Sequence, residues 1–165
     1  MEVTIRKVQP GDERDLAFIQ TESWKSAFAE ILDPETLERC TNIDKATDMY
    51  KHLLDENIGN GYLLFADEKP QCIAYWDAAR DEKFNGKAEL ICIHSLKGGW
   101  RCGYGSKMME RVISDMKTAG YSEVVLWVFK DNLRARKFYE AMGFEMTEFS
   151  KTTFNAEEVL YQARI

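Results

Sequence analysis

Arg101-Cys102-Gly103-Tyr104-Gly105-Ser106 stands between an apolar run, Leu90 to Leu96, and an amphipathic segment that begins near Tyr104. That order predicts strand, glycine-rich turn and helix. A turn of this kind leaves backbone N–H groups unpaired and aims a helix N-terminus, with its partial positive charge, at whatever binds there. Phosphate is the natural guest. A second pattern lies downstream, Asn132-Leu133-Arg134-Ala135-Arg136-Lys137-Phe138-Tyr139, followed by Gly143-Phe144. Two nucleotide-binding alternatives fail. A P-loop needs Lys directly after its second motif glycine, but Tyr104 follows Gly103 and Ser106 follows Gly105. A dinucleotide fingerprint needs glycine where Met108 stands.

Outward from these motifs the chain alternates element types. Val3 to Val8 reads as an edge strand, and Asp12 is placed to cap a helix bearing Leu16, Ile19, Trp24, Ala27 and Phe28. Asp33-Pro34 starts another helix, and Met49, Tyr50, Leu53 and Leu54 mark a helical face that Gly59-Asn60-Gly61 ends. Strands are expected over 62–66, 72–79 and 87–96, with Asn85-Gly86 as a hairpin turn. Met108, Met109, Val112, Ile113 and Met116 form the core face of the next helix. A buried strand over 123–129, a helix over 132–142 and a strand pair over 144–149 and 153–164 complete the chain. The expected order is β-α-α-β-β-β-α-β-α-β-β, an α/β (α+β) fold in one domain, 1–165.

Composition narrows the function. The 165 residues are 45% hydrophobic with a net charge of −6, which argues against a nucleic-acid partner. No apolar run spans a membrane and no signal-peptide pattern opens the chain, so a cytoplasmic location is expected. Four separated cysteines and two histidines give neither a disulfide framework nor a metal site.

On its two motifs the chain resembles the GNAT superfamily of N-acetyltransferases. The family's loop is usually written Gln/Arg-x-x-Gly-x-Gly/Ala. Gly103 and Gly105 match it, while Trp100 replaces the Gln or Arg and Arg101 stands one place later. The second pattern, Asn-x-x-Ala-x-x-Phe/Leu-Tyr-x-x-x-Gly-Phe, matches at Asn132, Ala135, Phe138, Tyr139, Gly143 and Phe144. The resemblance implies a twisted, mostly antiparallel sheet flanked by helices on both faces. It implies acetyl-CoA as cofactor and an amine acceptor, either a small molecule or a peptide, with a homodimer possible for the family. The pyrophosphate would rest on Arg101, Cys102, Gly103, Tyr104, Gly105 and Ser106. N–H groups around Ile93, His94 and Ser95 would meet the thioester carbonyl and pantetheine, in a gap where this strand splays from strand 123–129. Tyr139 matches the family's general acid, and Glu89 sits where several members keep a general base.

Alternatives stay open at several residues. His94 is either a second base or a structural histidine. Asn132 is a helix cap, a cofactor contact, or both. Arg136 and Lys137 reach phosphates or face solvent. Cys102, near a helix N-terminus, offers a covalent route that direct transfer in a ternary complex makes unnecessary. Trp24, Phe28 and Trp76 are pocket or core, and Asp77, Asp81 and Glu82 are candidates to attract a cationic acceptor. The rival function is a non-catalytic acyl-CoA sensor, for which Trp100 leaves room. Another rival keeps the enzyme but takes a longer acyl-CoA. A neutral amine is scarce at pH 7, costing roughly 4–5 kcal/mol to generate from an ammonium of pKa about 10.4, so an enzyme here needs a proton acceptor.

Overall fold

A computed structural model describes residues 1–165. β1 (Val3–Lys7), β2 (Asn60–Ala66), β3 (Lys69–Ala78), β4 (Ala88–Ser95), β5 (Glu123–Phe129), β6 (Glu145–Thr153) and β7 (Ala156–Arg164) form one sheet in the order β1-β2-β3-β4-β5-β7-β6. Every neighbouring pair is antiparallel except β4–β5. The helices are α1 (Glu13–Ala27), α2 (Pro34–Cys40), α3 (Ile43–Asp55), α4 (Tyr104–Thr118) and α5 (Leu133–Ala141). This is the mixed, mostly antiparallel architecture expected.

α4 carries the main core. Met108, Met109, Val112 and Met116 are all buried and pack on Ala74, Trp76, Leu90, Val124 and Leu126. Truncating one of these to Ala costs about 2–5 kcal/mol. Trp76 belongs to this core: its indole donates to Tyr62 Oη at 2.9 Å, and that hydroxyl donates to Asp115 at 2.8 Å. It therefore shapes no pocket. On the opposite sheet face α1 and α3 cover Leu63, Ile73 and Tyr75. Gly61 is needed there, since a Cβ would collide with the Tyr75 ring.

Three local readings change. The segment 34–55 is two helices, because Asn42 accepts from Lys45 N at 3.0 Å and caps a new start. Asp12 does not cap α1; both of its oxygens go to Arg6, and Gln9 N adds a third bond. The last hairpin turns at Phe154-Asn155, both at positive φ (53° and 63°), so β6 runs on to Thr153. Without glycine, that turn is hidden from pattern reading.

One irregularity sets up the site. Trp76 pairs with Leu90 and Tyr75 with Cys92, which leaves Ile91 as an extra residue on β4. Such a bulge bends its strand. β4 pairs with β5 only at Ala88↔Val124 and Glu89↔Val125, and beyond Glu89 the two parallel strands separate.

Candidate active site

The separated strands open into a cleft of about 1420 Å³. Single small-ligand sites run to roughly 300–1,000 Å³, so this one has room for two substrates end to end.

At one end lies the start of α4. Gly103 precedes it at φ 81°, a left-handed conformation that favours glycine, and Arg101 shares that region at φ 66°. The first helical bond runs from Lys107 N to Gly103 O at 3.1 Å, so the N–H groups of Tyr104, Gly105 and Ser106 have no helical acceptor. All three residues line the cleft, as do Arg101 and Gly103. Across from them Arg134, in the first turn of α5, stacks on the Trp100 ring at 3.6 Å. Burial pulls the Arg134 pKa below the usual guanidinium value, yet a guanidinium stays charged. Trp100 is held in turn by its indole N–H, which donates to Ser95 O at 3.1 Å.

Midway stand β4 and α5. Ile93, His94, Ser95, Asn132 and Tyr139 all line the cleft. Asn132 caps α5, its Oδ1 accepting from Ala135 N at 3.3 Å. Tyr139 packs edge-on against Phe138 and Phe144, and burial raises its phenol pKa, which keeps the proton on. No hydrogen bond contributes to that shift. His94 Nε2 accepts from the Trp24 indole at 3.3 Å, so its one lone-pair nitrogen is taken. Burial, and then the nearby Arg134, lower its pKa to about 4. Cys92 is pushed up to about 12 by burial and is no nucleophile.

At the far end Trp24, Phe28, Asp77, Arg80, Trp127, Phe154 and Glu158 surround the space. Asp77 sits directly across the β3–β4 ladder from Glu89.

A model of the Acetyltransferase (GNAT) family matches residues 22–144. The chain belongs to the GNAT family and is an N-acetyltransferase. It is 25% identical to the uncharacterized N-acetyltransferase YuaI of Bacillus subtilis (strain 168), over 87% of this chain and 80% of that one. Its fold matches the PaiA N-acetyltransferase of Thermoplasma acidophilum, solved in complex with coenzyme A, at a TM-score of 0.84 with 21% identity and full coverage of both chains. An N-acetyltransferase from Staphylococcus aureus Mu50 matches at 0.77 with 15% identity over 99% of each chain.

Three GNAT-motif expectations land elsewhere. Glu89 is buried behind Arg80, which gives it three bonds: Nη2 to Oε2 at 2.6 Å, Nε to Oε1 at 3.2 Å and the backbone N to Oε1 at 3.1 Å. Three hydrogen bonds from Arg80 hold this carboxylate, and it is not among the residues that line the cleft. Cys102 is exposed outside the cleft, with its N–H spent on Gly99 O at 3.2 Å. Arg136 turns to the other side of α5, donating to Tyr161 Oη at 2.9 Å and Lys130 O at 2.8 Å. The residue two positions earlier, Arg134, faces the cleft instead. Helical geometry explains the swap: residues two apart point roughly opposite ways. Asp81 and Glu82 form a turn, where Asp81 caps Lys83 N, and stand outside the cleft. No helix is long and apolar enough to cross a membrane.

Proposed function

We propose that this GNAT enzyme moves an acetyl group from acetyl-CoA to a primary amine by direct transfer in a ternary complex. The observation that carries the reading is the continuous cleft, running from the unpaired N–H groups of α4 past Tyr139 to a carboxylate-bearing end. Coenzyme A bound to the Thermoplasma PaiA enzyme supports the donor class. Acetyl-CoA would supply an activated thioester.

Tyr104, Gly105 and Ser106 present donors to a pyrophosphate, as a helix N-terminus does, and Arg134 adds a full positive charge. The open edge of β4 from Ile91 to Ser95 offers backbone groups to an extended arm, in the manner of an added strand. Tyr139 keeps its proton at neutral pH and donates it to the departing sulfur. A thiolate leaving into the same poorly solvated space is itself destabilised, which narrows the gap in acidity between the two. Glu89 is more useful as the anchor of Arg80 than as a base. Asp77, its neighbour across the ladder, lines the cleft and has no cationic partner, so it is the better proton acceptor for the amine, directly or through water.

Trp100 in place of Gln or Arg was the ground for a non-catalytic sensor. Its stack on Arg134 carries a positive charge to the same loop, so the replacement is no argument for the sensor. Incubation with acetyl-CoA and a mixed amine panel, read by mass spectrometry, tests this. An acetylated product with turnover is expected. Tight acetyl-CoA binding without product from any amine would favour the sensor.

A further inference from the structure

At the margin of the cleft's far end, just outside its lining, two of the lining residues already hold a cation of the protein's own. Lys151 Nζ lies 4.4 Å from the centroid of Trp127 and 3.8 Å from Glu158 Oε2. An indole face and a carboxylate together are the chemistry that recognises an ammonium group. We propose that Trp127 and Glu158 form a cation subsite, which Lys151 keeps filled in the free protein. It takes a positively charged group of the acceptor remote from its reacting amine. The proposal rests on the acetyl-transfer reading above and names the acceptor as a dication.

The two parts differ in how firmly they are held. The Glu158 side chain is only 15% exposed, and Thr153 Oγ1 donates to its Oε2 at 2.8 Å. Trp127 is a half-buried part of the cleft wall, with Phe84 edge-on to it at 6.4 Å. The Lys151 side chain is 46% exposed and extends from edge strand β6. An exposed lysine on an ion pair of this kind is released at little cost, so an incoming ammonium can replace it. Charge accounting agrees. Arg80 is bonded to Glu89 and also feels Glu158, so its one positive charge is shared between two carboxylates and the group stays net negative. Once Lys151 swings out, Glu158 and Asp77 are carboxylates with no ion pair of their own on the cleft wall, and Arg80, committed to Glu89, is the cation left nearby.

The hairpin tip adds a second, independent observation. Phe154 adopts φ 53°, a region that bulky residues occupy only under strain. Asn, Asp or Gly would hold that turn more comfortably. The strained turn keeps an aromatic side chain, 40% exposed, on the rim of the cleft beside Glu158. It gives the subsite an apolar edge against which the methylene chain of an amine can lie.

The test compares α,ω-diaminoalkanes with monoaminoalkanes of equal length, reading the ratio of kcat/KM. The wild-type protein should favour the diamine about tenfold at the best length, the order expected of a carboxylate plus a cation–π contact. Glu158→Gln should bring the ratio close to one. Glu148→Gln, which removes the same charge on the neighbouring strand β6, should keep it. Lys151→Met should raise the ratio severalfold by removing the competitor. Equal rates for both amines, or a ratio unchanged by Glu158→Gln, overturns the subsite. A peptide with a basic second residue presents the same two charges. Gly-Lys-amide against Gly-norleucine-amide forms a parallel arm, and a preference in either arm supports the subsite and identifies its source. Calorimetric binding of the diamines and of Gly-Lys-amide without acetyl-CoA separates the two levels of argument. If no amine is acetylated, the transfer reading fails. The subsite then stands if one of these dications binds the wild type and not Glu158→Gln, and falls if neither protein binds any of them.

Discussion

At the α4 end of the cleft, the consecutive residues Tyr104, Gly105 and Ser106 bring backbone N–H groups that no helical acceptor occupies. At the hairpin end the groups are side chains from distant strands: Asp77 on β3, Trp127 on β5, Glu158 on β7. A site made of backbone needs only a local conformation, and Gly103 at φ 81° supplies it. A site made of side chains needs the sheet to be assembled in the right order before its members meet. The first kind depends little on which side chains stand in it. The second is where a family of one fold can change its substrate.

The comparison breaks first at Tyr139, which lies between the two ends. Tyr139→Phe keeps the buried ring and removes the proton. Turnover should fall about 100-fold, the lower range for lost general-acid catalysis, while acetyl-CoA affinity stays within about twofold. Steady-state kinetics with a calorimetric Kd separates the two; a matching loss of affinity would make Tyr139 a packing residue.

Asp77→Asn tests the acceptor end. The variant keeps the shape and loses the proton acceptor, so kcat/KM at pH 7 should drop about tenfold or more and recover as pH rises and more of the amine is neutral. Glu89→Gln should behave differently, since it frees the Arg80 guanidinium over a buried site. Its main signature should be a lower thermal midpoint, from weakening the three bonds between Arg80 and a buried carboxylate. If Glu89→Gln shows the pH-dependent rate loss and Asp77→Asn does not, the assignment of the base reverses.

The same contrast explains what the sequence could and could not say. The loop at 101–106 and the Asn132–Phe144 pattern were legible because each is one continuous element, and the strand–turn–helix order followed from hydrophobic period alone. The splay of β4 from β5 came only through the family resemblance and not from the hydrophobic period, because it depends on one extra residue, Ile91, in a run that is apolar throughout. Arg134 and Arg136 are both basic and two apart, and only the packed orientation of α5 chooses which meets the cleft. Glu89 appeared free because Arg80, nine residues away across a hairpin, had no signature as its partner. The pairing of Lys151 with Glu158 and Trp127 needs three strands in register, which no window of sequence contains.

Arg134→Met sharpens the α4 end. The stack on Trp100 loses its charge and keeps its hydrophobic contact, so acetyl-CoA affinity should weaken about tenfold, with a shallower dependence on salt. Trp100→Arg in the Arg134→Met background should restore part of it, because it returns a charge to the loop itself. No rescue would mean that Arg134 positions the α5 turn and does not meet the ligand.

The smallest effect is expected at His94, and it concerns stability. Its folded-state pKa, about 4, lies below the usual 6.5 because burial, and then the charge of Arg134, oppose a second proton. The unfolded chain therefore takes up a proton at a pH where the folded one does not. The contribution is fully present above about pH 6.5 and is lost as pH falls from there toward 4. Half-burial reduces its size, so a shift of a few degrees is the right scale. His94→Gln keeps an acceptor for the Trp24 indole and cannot titrate. Its thermal midpoint should fall less steeply than that of the wild type between pH 6.5 and 4, with the two curves parallel above pH 7. Parallel curves over the whole range would mean that His94 stays open to water and that the Trp24 contact, at 3.3 Å, does not hold it neutral.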